Sequence, residues 1–128
     1  MSDVIVDTSA WVDFFRQGTG QVADAVDALL DGDRVVLCGV VEMELIHGVR
    51  DRDAPRLRKL LEALHFVETT RDDYRAAGEK LATLRQRGVT VPATDALIAA
   101  LCERAKLALL TSDRHIEHFP GVQRLTLG

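Results

Sequence analysis

At 128 residues the chain has the length of one domain able to enclose a hydrophobic core, and no linker, repeat or low-complexity stretch divides residues 1–128. A formal net charge of −4 excludes a basic arm that grips nucleic acid through bulk charge, so any hold on phosphate must come from local arginines or a bound metal. Aromatic residues, at 5%, are too few for the stacking platforms of single-strand-binding proteins.

In chain order, Val4 to Val6 is a short β-branched run ended by Asp7, which suits a central parallel strand. Ser9 is placed to cap the helix that follows, and Trp11, Phe14 and Phe15 fall at i, i+3 and i+4, on one face. Gly18 and Gly20 break this helix. Val22, Ala25, Val26, Leu29 and Leu30 mark a second amphipathic helix, closed by Asp31-Gly32-Asp33. Val35 to Cys38 reads as a second strand, and a helix from about Val40 to Val49 follows. Pro55 suits a first helical position, and Leu57, Leu60, Leu61 and Leu64 give the next helix its apolar stripe. Phe66 and Val67 form a brief strand. Tyr74, Ala77, Leu81 and Leu84 line a longer helix with Gly88 at its C-terminal cap. Ala93 or Thr94 starts another helix, Ala108 to Thr111 is a strand, and Val122 to Leu125 is a last short one. Strands alternating with helices indicate an α/β fold with a mainly parallel sheet.

The cysteines, Cys38 and Cys102, lie in apolar segments and form no C-x-x-C pair, as expected of reduced, buried thiols in a cytoplasmic protein. The N-terminal run Met-Ser-Asp-Val-Ile-Val-Asp has no basic leader, and no apolar stretch approaches the ~20 residues that span a bilayer.

The chemistry is carried by acids. Asp7 and Asp113 each end or follow a candidate strand, where open α/β sheets build their sites. Asp95 lies in the first turn of its helix, and Glu44 lies within a helix. Carboxylates that converge without cations repel one another unless a metal ion sits between them. Oxygen ligands without His or Cys partners select Mg²⁺ or Mn²⁺ over Zn²⁺. Each acid has an ordinary alternative: helix-dipole partner for Asp95, cap for Asp7, turn residue for Asp113, solvated helix residue for Glu44. Glu42 competes with Glu44, because two residues on a helix differ by about 200° and cannot share one site; periodicity alone does not choose between them.

Val-Asp-Thr-Ser-Ala-Trp, Glu-Leu-Ile-His-Gly, Pro-Ala-Thr-Asp-Ala-Leu-Ile-Ala-Ala and Leu-Leu-Thr-Ser-Asp-Arg-His occur in this order across nearly the whole chain. In these four segments the chain resembles PIN-domain ribonucleases, and more closely the VapC toxins of bacterial type II VapBC toxin–antitoxin pairs. The resemblance implies three α/β/α layers and a Mg²⁺- or Mn²⁺-dependent endoribonuclease that hydrolyses RNA with metal-activated water. By position it implies Asp7, Glu44, Asp95 and Asp113 as catalytic metal-binding acids, choosing Glu44 over Glu42, with Ser9 and Thr111 as supporting hydroxyls. Many relatives carry another acid two places after the last Asp. Here that place is His115, so one ion is implied and a second is left open.

Arg114 and His115, next to Asp113, are the candidate RNA contacts. The cluster Arg50, Arg52, Arg56, Arg58 and Lys59 reads either as a solvated helix start or as a rail for RNA backbone. The resemblance also implies a VapB-type antitoxin, reached in part through the Trp11, Phe14 and Phe15 stripe, and a homodimer. Two other classes compete. A receiver-like phospho-signalling domain needs an acidic pair after the first strand and a Lys after a late one, and neither is present. An inert PIN binding module has no use for four unpaired acids.

Overall fold

The structure is a computed structural model that describes residues 3–127. Met1 and Ser2, where the reading of the N-terminal run begins, and Gly128 lie outside the described residues. Among the described residues four strands, β1 (Val4–Val6), β2 (Val35–Cys38), β3 (His65–Val67) and β4 (Ala108–Leu110), form one sheet in the order β3-β2-β1-β4. All three pairings are parallel. Six α-helices among the described residues flank it: α1 (Thr8–Gln17), α2 (Gln21–Asp31), α3 (Gly39–Gly48), α4 (Ala54–Glu62), α5 (Arg71–Gln86) and α6 (Ala93–Ala105). Helix α1 packs on α2, and α5 on α6. None is long and apolar enough to cross a membrane.

The continuous apolar runs in β1, β2 and β4 are buried at every position, as strands covered on both faces must be. Edge strand β3 is exposed at His65 and Phe66. Val6 pairs with Leu110, which brings the residues after them, Asp7 and Thr111, side by side at the C-terminal edge of the sheet.

Four local expectations are corrected. Ser9 does not cap α1: Asp7 holds the N-cap position, and the Ser9 hydroxyl is engaged with groups of the site described below. Trp11 is 0% exposed, beneath Phe14 and Phe15, so it belongs to the core and not to a docking surface. Tyr74 points outward, because Asp73 beside it is drawn inward by Arg104 and by a capping box with Thr70. The strand expected at Val122 to Leu125 is reduced to a single bridge between Leu109 and Arg124. Strand β4 has three residues, and those at its ends bond toward β1: Ala108 N–H to Asp3, and the Leu110 carbonyl to Asp7 N–H. Only Leu109 faces outward, donating to Gln123 O and accepting from Leu125 N–H, both at 2.9 Å. Gly88 takes φ +78 just after the C-cap Arg87, the left-handed conformation that closes α5.

Candidate active site

Parallel strands deliver their C-terminal residues to one edge, and the acids gather there. Asp7 is 9% exposed and leaves β1 with its N–H bonded to Leu110 O at 2.9 Å. Its Oδ2 accepts from Thr111 Oγ1 at 2.8 Å and from Ser9 Oγ at 3.2 Å, which fixes the rotation of the carboxylate. The hydroxyls lie 3.1 Å from each other. Each also holds the loop after β4: Ser112 N–H donates to Ser9 Oγ and Asp113 N–H to Thr111 Oγ1, both at 3.0 Å.

Asp113 caps a 3₁₀ turn, Arg114–His118, by accepting from His115 N–H at 2.9 Å. This short turn swings the His115 ring back over the acids. His115 Nδ1 lies 2.7 Å from Asp95 Oδ2 and 3.2 Å from Asp113 Oδ1. Asp95 enters from the first turn of α6. Burial pushes its carboxyl above the ordinary value; the bond to His115 opposes this, while the charges of Asp113 and Asp7 reinforce it. The bond to Asp95, helped by the charges of Asp113 and Asp95, holds the imidazole above its usual value despite some desolvation.

Asp7, Asp95, Asp113, Thr111 and His115 line one small pocket, floored by Ile98, Leu109, Ile116 and Phe119. Among the described residues no Lys or Arg lines it. Asp95, Asp113 and His115 offer ligand atoms within 4.8 Å of one another, so the donor set fits a divalent cation.

Glu44 does not itself line this pocket, although its charge and that of Asp7 both reach Cys38 at the start of α3. Its Oε1 accepts from Thr8 Oγ1 at 2.8 Å, and it lines a neighbouring cavity of about 940 Å³ between α1, α3 and α4. Phe14, Phe15 and Leu57 line that cavity together with Arg16, Arg50, Arg52 and Arg56. Thr8, next to Asp7 in the chain, joins the two compartments. Arg114 is exposed on the 3₁₀ turn. Sequence reasoning missed three contacts: Thr8 to Glu44, His115 to Asp95, and Ser112 Oγ to Asp13 Oδ2 at 2.7 Å, which fastens the Asp113 loop to α1. A hydroxyl beside a proposed ligand was a signal for Thr8; nothing in the spacing marked Asp13.

A parallel sheet with carboxylates at its C-terminal edge defines an α/β/α protein of the class that places acidic chemistry beside strand ends. The family model described as PIN domain matches residues 4–122, and the chain belongs to the PIN domain family. The chain is 36% identical over 129 residues to VapC ribonuclease Mb1587 of Mycobacterium bovis, covering 96% of this chain and 93% of the relative. The same identity and coverage relate it to Ribonuclease VapC11 of Mycobacterium tuberculosis. In fold it is similar to a chain in the crystal structure of VapBC2 from Rickettsia felis bound to a DNA fragment from their promoter. That match has a TM-score of 0.79 at 17% identity and covers 95% of this chain and 96% of that one. The PIN domain match leaves the receiver-like alternative without support.

Proposed function

We propose that this chain is the toxin of a toxin–antitoxin pair, a cytoplasmic endoribonuclease that uses Mg²⁺ or Mn²⁺ to hydrolyse RNA phosphodiester bonds. One observation carries the reading: Asp7, Asp95 and Asp113 face one pocket whose only basic lining group among the described residues is an imidazole. The relatives named as VapC ribonucleases support it. A divalent ion supplies Lewis-acid polarisation of a phosphoryl oxygen and lowers the pKa of water.

The chain's own groups do the positioning. Thr111 and Ser9 hold the Asp7 carboxylate in one rotamer, and the same hydroxyls hold the loop that carries Asp113. Thr8 orients Glu44, which lines the larger cavity and is offered as a further metal-binding acid or as a proton acceptor at the pocket edge. Arg114, exposed beside Asp113, is offered to RNA phosphate, as are the arginines that line the cavity. The apolar lining of the cavity, with Phe14 and Phe15, suits a segment of a VapB-type antitoxin. Residues 1–128 act as a single domain in this reading, assembled as a homodimer and with the antitoxin.

Mapping RNA ends after expression tests it. The native chain creates new 5′-phosphate ends. Asp7→Asn, which keeps an oxygen acceptor for Thr111, abolishes them while melting like the native protein. Equal cutting by both chains overturns the reading. Absence of Mg²⁺ and Mn²⁺ binding in calorimetry favours the inert module.

A further inference from the structure

His115 stands where many relatives are expected to carry an acid. Its backbone N–H donates to Asp113 Oδ1, and its ring Nδ1 lies between the Asp95 and Asp113 carboxylates. The spacing is informative. Adjacent ligands of an octahedral ion, each about 2.1 Å from the metal, lie about 3.0 Å apart. The Nδ1 distances of 2.7 Å to Asp95 Oδ2 and 3.2 Å to Asp113 Oδ1 bracket that value. Without an ion these are hydrogen-bond contacts; once the ring gives up the Nδ1 proton, the same atom presents a lone pair to the space shared by the two carboxylates, at ligand-to-ligand spacing.

We infer that His115 Nδ1 is a direct ligand of the catalytic ion, together with Asp95 and Asp113, giving this site a mixed nitrogen–oxygen donor set that favours Mn²⁺ over Mg²⁺. The inference rests on the metal-dependent nuclease reading and refines it. Mg²⁺ is a hard ion that holds oxygen ligands and gains little from imidazole. Imidazole suits transition ions, and Mn²⁺ accepts nitrogen and carboxylate oxygen together. An acid at position 115 would return the site to oxygen donors and lift Mg²⁺. The arrangement also bears on ion number: with a neutral ligand at this corner the pocket has one negative charge fewer to hold a second dication.

Two measurements on the intact protein test this without reference to cleavage. Pulsed electron paramagnetic resonance of the Mn²⁺-loaded native chain is expected to show nitrogen coupling, and His115→Asp to lose it. Calorimetric titration with Mn²⁺ and with Mg²⁺ is expected to give a Mn²⁺:Mg²⁺ affinity ratio that falls about tenfold or more in His115→Asp, the scale on which neighbours of metal sites tune affinity. Position 115 is partly exposed, so the substitution leaves the core untouched, and the nitrogen signal needs no variant at all. Tight Mn²⁺ binding without nitrogen coupling, or an unchanged affinity ratio, overturns the assignment of His115 and leaves the nuclease reading standing. A native chain that binds neither ion overturns both.

Discussion

Two buried or half-buried aspartates in this molecule have opposite surroundings. Asp73, at the start of α5, has a side chain 1% exposed and is answered in full: Arg104 Nε donates to it at 2.7 Å, a second guanidinium nitrogen at 3.0 Å, and Thr70 N–H at 2.9 Å. Burial alone would raise its carboxyl, but the bonds from Arg104 and Thr70 outweigh it and hold the group below the ordinary value. Asp95, 19% exposed at the start of α6, meets one imidazole and the charges of two further acids, and its carboxyl is pushed up. An acid whose cation is built into the fold is a structural clamp, here joining α5 to α6. An acid left among other acids is a place for a cation from outside.

The sharpest way to break this comparison is to neutralise one acid of each kind. Asp113→Asn keeps the oxygen that caps the 3₁₀ turn, so RNA cleavage is expected to fall at least about a hundredfold. Its melting temperature in chelator should be unchanged or higher, because a repulsive charge has gone. Asp73→Ala is expected to do the reverse. Loss of the ion pair and of half the capping box should lower stability by about 2–3 kcal/mol in denaturant titration, with cleavage per folded molecule retained. A stable, inactive Asp73→Ala protein would erase the distinction.

Acid sensitivity sharpens it further. Asp73 has a folded-state pKa below its unfolded value near 3.8, so its stabilisation is fully present above that value. It is lost as pH falls through the lower folded value. The native chain should therefore lose stability more steeply than Asp73→Ala below about pH 4. The smallest expected effect concerns the second compartment. Phe15, 49% exposed on the cavity, stacks on Trp11 and edges Phe14, so its truncation is expected to cost about 1–2 kcal/mol, which leaves the chain folded. Antitoxin affinity measured by calorimetry should nevertheless fall about tenfold, as for an aromatic anchor. Trp11→Ala cannot serve this purpose, because its ring lies in the core and removal would cost about 3–5 kcal/mol of fold stability.

Most of the fold was legible in short patterns. The β-branched runs of β1 and β2, the leucine stripe of α4 and the glycine after α5 each name their element, because burial on both faces, a 3.6-residue period and a positive φ leave few alternatives. Legibility ended where neighbours outside the local window decide. The spacing of Tyr74 fits the buried stripe of α5. Arg104, 31 residues past Asp73, turned that helix so that the acid went in and the tyrosine out. The segment after Val122 has strand composition, but a three-residue β4 offers it only Leu109 as a partner.

For the site, the sequence by itself determined the candidate acids and their places at strand ends and helix starts. Asp7 and Asp113 follow from the rule that parallel sheets expose functional residues at one edge. The tertiary structure alone decided how they are grouped. The Val6–Leu110 pairing set Asp7 against Thr111, a contact across 104 residues that no local pattern encodes. The short turn after Asp113 folded His115 back onto Asp95, 20 residues away. Helix α3 carried Glu44 to Thr8, the residue after Asp7, at the border of the larger cavity. Side-chain chemistry is a local property of the sequence, whereas which charges share one field depends on strand register and helix placement.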